Sequence, residues 1–142
     1  MIYEKSCGAV IYFIEGTHRL YLVEHMKKGH YALCKGHVEG SESEIQTAVR
    51  EISEETSLKV KIDESFRECV EYSPYEGCTK TVVYFTARSE KIETQAQLEE
   101  VTDILWLELS DAMNILTYEN DKEILRKADD FLMKAFIAGN IR

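Results

Sequence analysis

The chain is 142 residues long, with 44% apolar residues, 30% charged residues and a formal net charge of −9. This length fits a single domain with a substantial core, and the composition is that of an ordinary soluble globular protein. An acidic chain lacks the basic face that an extended nucleic acid requires, so no such partner is expected. A small polyanion remains compatible, because bound metal ions can invert the local electrostatic field.

The cysteine pattern and the start of the chain predict a location in the cytoplasm. The cysteines form no Cys-x-x-Cys pair and no zinc-type spacing with histidine, so reduced thiols with packing roles are expected. The first residues lack the pattern of a secretory signal, and no apolar stretch approaches the length of a membrane span. Nothing in the sequence indicates a protein partner.

The first part of the chain predicts a β-hairpin that leads into a glycine-containing loop. Residues 6–13 and 19–24 are rich in β-branched and aromatic side chains, which favours strands, and a turn separates them. After a polar loop, the sequence KGHVEG places two glycines around polar groups, which suits close approach of the backbone to a ligand. Lys35, Gly36 and His37 are therefore candidates for substrate contact, with a surface position or loop support as the alternative for His37.

The helix expected after this loop carries carboxylates on one face. Either Ser41 or Ser43 is expected to cap its start. Glu51, Glu54 and Glu55 follow one another at spacings that place them within about 100° of the helix circumference. Like charges repel in this arrangement, and a hard cation with oxygen ligands, Mg²⁺ above all, would reverse that penalty. Solvated surface glutamates are the alternative for such a run.

The second half of the chain predicts further strands and two helices. Polar composition predicts loops at 73–77 and 91–99, and the first of these has the proline and glycine of a turn. Apolar residues keep helical spacing towards the C-terminus, where a helix from Asp121 should end before Gly139. A shorter helix is expected over 110–117. Strand segments are predicted at 59–62, 66–72, 79–88 and 103–109. Together these elements predict one α/β domain over residues 1–142.

The stretch from Gly36 to Leu58 resembles the signature of the Nudix hydrolase family. That signature is Gly, five residues, Glu, seven residues, Arg-Glu, an aliphatic residue, any residue, Glu-Glu, any residue, Gly and an aliphatic residue. The chain matches every fixed position except Ser57, where the family has a glycine that ends the helix. A left-handed serine there would cost about 1 kcal/mol without moving any carboxylate. The matching residues are Gly36, Glu42, Arg50, Glu51, Ile52, Glu54, Glu55 and Leu58.

The resemblance implies a fold, a cofactor and a class of substrate. The fold would be an α/β/α sandwich with a central mixed sheet and a catalytic loop–helix–loop. The reaction would be hydrolysis of a nucleoside diphosphate linkage in a small-molecule nucleotide, with Mg²⁺ or Mn²⁺ as cofactor. In the loop before the helix, Glu39 and Glu42 would reach the site through water or buttress the loop.

The resemblance also implies roles for individual residues. Glu51, Glu54 and Glu55 would bind the metal, and Glu54 or Glu55 would also orient or deprotonate water. Arg50 would hold one of these carboxylates through a bidentate pair, or form salt bridges on the helix surface. Glu100 would supply a further metal ligand or base, with a solvated loop carboxylate as the alternative.

Further segments resemble the asymmetrical diadenosine tetraphosphate hydrolases, namely the strand SCGAVIYF, the KGHVE loop and the strand that begins Lys-Thr-Val. This resemblance implies that Lys80 contacts phosphate and that Tyr84 stacks on adenine. Solvent exposure of Lys80 and core packing of Tyr84 are the alternatives. The chain departs from those enzymes before the KGHVE loop, where they carry a tryptophan and a proline pair. It has Tyr31, Leu33 and Cys34 there, and Tyr31 could still stack on a base.

Three functions follow from this pattern. The first is asymmetrical hydrolysis of diadenosine tetraphosphate to ATP and AMP. The second is a Nudix pyrophosphatase that cleaves a nucleoside triphosphate or a nucleotide sugar. The third is a module that senses nucleotides without hydrolysis, and the complete Arg-Glu-x-x-Glu-Glu set argues against it.

Overall fold

The computed structural model describes residues 1–139, which form seven β-strands and three α-helices. No helix within this range is long and apolar enough to cross a membrane. The strands are β1 (Ile2–Glu15), β2 (His18–Met26), β3 (Tyr31–Ala32), β4 (Cys34–His37), β5 (Lys61–Tyr72), β6 (Cys78–Arg88) and β7 (Val101–Leu107). The helices are α1 (Glu44–Thr56), α2 (Leu109–Ile115) and α3 (Glu119–Ile137).

All the strands belong to one mixed sheet with β1 at its centre. β1 pairs in parallel with β6 and antiparallel with β2 and β4. β5 pairs antiparallel with β6, and both β3 and β7 pair antiparallel with β2. Because β2 and β4 both pair antiparallel with β1, side chains from these two strands can meet at one place on the sheet.

Alternation along β1 divides the core into two layers. Ala9 and Ile11 belong to a buried cluster that includes the apolar side of α1. Val10 and Tyr12 point to the opposite face and belong to a cluster with the buried side of α3. Successive strand residues face opposite sides of a sheet, so β1 is buried on both faces. The resulting arrangement, with helices on both sides of a mixed sheet, confirms the predicted α/β/α fold.

The predicted elements are present, with differences at their ends. β5 runs continuously from Lys61 to Tyr72, where two segments were predicted, and its register with β6 shifts between Asp63 and Glu68. β7 ends at Leu107, so the strand predicted over 103–109 is too long, because a short apolar run does not by itself distinguish a strand from the start of a helix. α3 ends before the left-handed Gly139, as predicted.

Candidate active site

Both ends of α1 are defined by serine residues. The Gln46 N–H donates to Ser43 Oγ at 3.1 Å, and the Ser43 N–H donates to Gln46 Oε1 at 2.9 Å, which makes Ser43 the cap of a reciprocal capping box. At the other end Ser57 adopts a φ of +65°, the left-handed conformation for which glycine is normally used. The serine therefore ends the helix at the position the signature predicts.

Arg50 links the loop after β4 to the carboxylates of α1. Its Nε donates to Glu42 Oε2 at 2.7 Å and its Nη2 to Glu42 Oε1 at 3.0 Å, so the bidentate partner is the loop glutamate. Nη1 donates to Glu51 Oε1 at 2.9 Å and to Glu54 Oε2 at 3.2 Å. Nη2 also donates to the His37 carbonyl at 2.9 Å. Hydrogen bonds from Arg50 lower the pKa of Glu42 to about 2, which keeps this clamp charged at neutral pH.

Gly36 makes space for one of these carboxylates. A Cβ built on Gly36 would lie 2.0 Å from Glu51 Cδ, well inside the closest approach of two carbon atoms. The φ angle of Gly36 is not in the left-handed region, so the requirement for glycine at this position is steric. The backbone of β4 thus passes directly against the end of the Glu51 side chain.

The innermost carboxylate, Glu55, meets two residues that the sequence analysis did not identify. Glu24 of β2 and Cys34 of β4 are both buried beside it, and the Cys34 thiol donates to Glu55 Oε1 at 3.7 Å. Burial raises the pKa of Glu55, and the nearby Glu24 carboxylate raises it further. Burial also raises the pKa values of Glu24 and Cys34. The one sequence signal for a buried carboxylate here is the position of Glu24 at the end of the apolar run LYLVE.

The site has the chemistry of a divalent cation site. Glu51 lies close enough to Glu55 to raise the pKa of Glu55, whereas the ligand atoms that lie within 4.8 Å of one another belong to Glu24, Cys34 and Glu55. Metal binding by Glu51 and Glu54 stays a prediction. Oε2 of the buried Glu24 has no hydrogen-bond partner among the described residues. Glu54 is the outer member of the group, and its side chain is 55% exposed. Oxygen ligands gathered in this way fit a hard cation such as Mg²⁺, or Mn²⁺.

A cavity of about 580 Å³ lies on the side of the sheet that α3 covers. Lys35 of β4 is part of its wall, and the aromatic rings of His30 and Tyr118 lie 5.7 Å apart on another part of the wall. Both apolar and charged side chains line the cavity, as expected for a pocket that holds a base together with polar groups. The full lining is His30, Ala32, Lys35, Val70, Tyr72, Pro74, Val82, Tyr84, Tyr118, Glu119, Asn120 and Asp121.

The two tyrosines predicted to contact a base occupy different places. Tyr84 contributes to the cavity floor, but it is 0% exposed, and its hydroxyl donates to Asp121 Oδ1 at 3.2 Å. A ring buried in this way presents no free face for stacking, so the stacking role predicted for Tyr84 does not fit and core packing does. Tyr31 stacks on His25, with ring centroids 4.2 Å apart, and does not line the cavity. For Tyr31, base contact stays a prediction.

The remaining predicted residues surround the carboxylates. Lys80 is half-buried, and burial, followed by the positive charge of Lys35, lowers its pKa. The His37 side chain is largely exposed, with Nε2 3.8 Å from Glu4 Oε2. Glu100 is exposed in the loop before β7. This loop contacts α1, because the Gln97 N–H donates to the Glu55 carbonyl at 3.2 Å. A metal-binding role for Glu100 stays a prediction.

Comparisons with known proteins find a family model, described as the NUDIX domain, that matches residues 5–128. The bis(5'-nucleosyl)-tetraphosphatase [asymmetrical] of Sus scrofa is 30% identical over 140 residues, covering 90% of this chain and 95% of the relative. The Caenorhabditis elegans protein of the same name is 32% identical over 132 residues, covering 90% and 96%. A crystal structure of a C. elegans Ap4A hydrolase binary complex superposes with a TM-score of 0.84 and 31% identity, covering 92% of this chain and 98% of that one.

Proposed function

The chain belongs to the NUDIX family, and from that premise we propose that it hydrolyses diadenosine tetraphosphate asymmetrically, to ATP and AMP. It is a Nudix hydrolase, and the named activity of its relatives from pig and nematode supports this choice of substrate. The similarity extends over nine-tenths of the chain, which covers both the carboxylate cluster and the cavity.

One observation carries the proposal: β4 separates the cation site from the cavity, and its consecutive residues face one and then the other. Cys34 contacts Glu55, Lys35 lines the cavity, and Gly36 lies against Glu51. We infer that a substrate whose base occupies the cavity passes its phosphate chain around β4, from the face of Lys35 to the face of Cys34 and Gly36, where it reaches the metal-binding carboxylates. This is the arrangement that hydrolysis of a nucleotide anhydride requires.

The lysines provide the positive charge that a polyphosphate needs. Lys35 and Lys80 lie close enough for Lys35 to lower the pKa of Lys80, which is unfavourable for the unliganded protein. A phosphate chain between them would relieve this repulsion. We assign phosphate contact to both lysines and base contact to Tyr118 and His30, whose rings take the place proposed for Tyr84 in the sequence analysis.

Glu51, Glu54 and Glu55 would hold Mg²⁺ or Mn²⁺. Once bound, the metal would neutralise phosphate charge and lower the pKa of a coordinated water. Glu54 is the most exposed of the three, and it would orient the attacking water and accept its proton. As the water oxygen bonds to one phosphorus, the bridging P–O bond breaks, which leaves AMP and ATP. Arg50 would keep Glu51 and Glu54 in position throughout.

A product assay tests this proposal. The protein would be offered diadenosine tetraphosphate, nucleoside triphosphates and nucleotide sugars with Mg²⁺, and the products would be separated by ion exchange. We expect ATP and AMP from the dinucleotide. Turnover should be lost in Glu54→Gln and should be unchanged in Glu93→Gln, which replaces an exposed carboxylate in the loop before β7. Preferential pyrophosphate release from a triphosphate would establish the second function instead. Tight nucleotide binding without turnover of any compound would favour the sensing module.

A further inference from the structure

We propose that Cys34 and Glu24 join Glu55 to form a mixed sulfur and oxygen site that prefers softer divalent cations, such as Zn²⁺ and Co²⁺, over Mg²⁺. The three residues come from β4, β2 and α1, and each offers one ligand atom. These atoms lie within 4.8 Å of one another, and all three residues are buried. Ligand atoms on one such ion have bonds of about 2.0–2.3 Å, so small side-chain rotations would bring all three into coordination.

An unpartnered buried oxygen indicates that a ligand belongs at this place. Glu24 is 1% exposed, its neighbours are the Cys34 thiol and the Glu55 carboxylate, and its Oε2 has no hydrogen-bond partner among the described residues. A buried carboxylate oxygen without a donor is destabilising, and its burial beside the Glu55 carboxyl group makes ionisation of both groups unfavourable. A divalent cation between the two carboxyl groups would provide the missing partner for Glu24 and would favour the ionised form of both.

The donor set determines which cation fits. A thiolate is a soft ligand that favours zinc and cobalt, whereas Mg²⁺ requires hard oxygen ligands. The outer carboxylates, Glu51 and Glu54, offer oxygen alone and contact Arg50. The chain thus carries two donor sets that share Glu55: an all-oxygen set on α1, and an inner set that includes sulfur. A soft cation at the inner set would compete with Mg²⁺ for Glu55.

Cobalt provides a direct test, because a thiolate bound to Co²⁺ gives a charge-transfer absorption in the near ultraviolet. Metal-free protein would be titrated with Co²⁺, and Zn²⁺ affinity would be measured by displacement of the cobalt. We expect the band in the wild type and its loss in Cys34→Ser. Zn²⁺ affinity should fall more than about 100-fold in Cys34→Ser and Glu24→Gln, since loss of a supporting contact alone typically costs 10–100-fold. Cys78→Ser replaces another buried thiol and should keep both properties.

A wild-type protein without the band, or a band of equal intensity in Cys34→Ser, would overturn the inference. If Cys34→Ser does not fold, as judged by circular dichroism, the ¹¹³Cd resonance of the loaded wild type decides between sulfur and oxygen-only ligation. The inference rests on the proposed function through Glu55, but the two can fail separately. Mg²⁺-dependent hydrolysis without a cobalt–thiolate band overturns only the inner site, and the band without hydrolysis overturns only the proposed function.

Discussion

Gly36 and Glu51 are matched in shape, since a Cβ on Gly36 would lie 2.0 Å from the Glu51 carboxylate carbon. Gly36→Ala should therefore push Glu51 out of position while the fold survives, because the obstacle is the far end of a flexible side chain. We expect Mg²⁺ affinity to fall about 10–100-fold, the usual effect of disturbing the surroundings of a metal site. Calorimetric titration with Mg²⁺ measures this change.

Gly8→Ala is the matched comparison for that variant. A Cβ on Gly8 would lie 1.9 Å from the Cys34 carbonyl oxygen, so here the obstacle is backbone rather than a side chain. This substitution should lower the free energy of unfolding by several kcal/mol, in the range of an overpacked core. Two results in Gly36→Ala would contradict a side-chain obstacle at Gly36: an unchanged Mg²⁺ affinity, or a loss of stability as large as that of Gly8→Ala.

Local periodicity predicted the helix and its carboxylates well, but it could not show what meets them. Glu51, Glu54 and Glu55 are close in sequence, so helical spacing alone places them on one face. Glu24 and Cys34 reach Glu55 only because β2 and β4 both pair with β1, which is a property of the sheet topology. No local pattern contains that information.

Strand alternation explains why Tyr84 was assigned the wrong role. Lys80 and Tyr84 share one face of β6, because side chains two and four residues apart point the same way. The sequence does not say where along that face the core ends. Lys80 is only half-buried near the start of the strand, whereas Tyr84 lies under α3, where its hydroxyl reaches Asp121. Depth of burial depends on the helix that packs above, which a strand pattern does not specify.

Arg50→Lys should reduce activity although it keeps the positive charge. The guanidinium joins Glu42, Glu51 and Glu54 at once, and an ammonium group cannot reproduce this planar fork. We expect kcat/KM for the nucleotide substrate to fall about 10–100-fold. Arg67→Lys is the control. Arg67, in β5, forms a similar bidentate pair with Glu44 of α1, and it contacts none of the metal-binding carboxylates. Equal losses in both variants would refute a specific role for Arg50.

Ser57→Gly should stabilise the protein. Serine at a φ of +65° carries a steric penalty that glycine avoids. Glycine offsets part of this gain, because it raises the conformational entropy of the unfolded chain. The net gain in the free energy of unfolding should be up to about 0.5 kcal/mol, measured by urea titration. Ser53→Gly, on the exposed side of α1, should instead destabilise by about 0.5 kcal/mol, since glycine is a poorer helix former. A loss of stability in Ser57→Gly would contradict the prediction.

The ion pairs of Glu44 should stabilise the fold in a pH-dependent manner. Arg67, and then Lys5, lower the pKa of Glu44 from 4.5 to about 2. A carboxyl group whose pKa is lower in the folded state contributes stability that is fully present above its unfolded pKa, and this is lost as pH falls towards the folded value. Wild type should exceed Glu44→Gln by up to about 1 kcal/mol at pH 7, with the difference shrinking between about pH 4.5 and 2.

Urea unfolding at several pH values measures this difference. Glu93→Gln, in the loop before β7, is the control and should show no comparable dependence on pH. High salt should reduce the Glu44 effect as well, because the Lys5 side chain is 46% exposed and the Arg67 side chain 48% exposed. A difference between wild type and Glu44→Gln that stays constant down to pH 2 would show that packing, not charge, is responsible.

Tyr118→Ala should weaken substrate binding through the base. Its ring lies on the cavity wall 5.7 Å from that of His30, and stacking of a base on an aromatic side chain contributes about 1–3 kcal/mol. KM for diadenosine tetraphosphate should therefore rise about 10-fold or more, with a smaller effect on kcat. Tyr118→Phe keeps the ring and should keep KM, and Tyr3→Ala removes a tyrosine that is 77% exposed outside the cavity. If KM rises equally in Tyr118→Phe, the hydroxyl rather than the ring makes the contact; if it rises in neither Tyr118 variant, the base binds elsewhere.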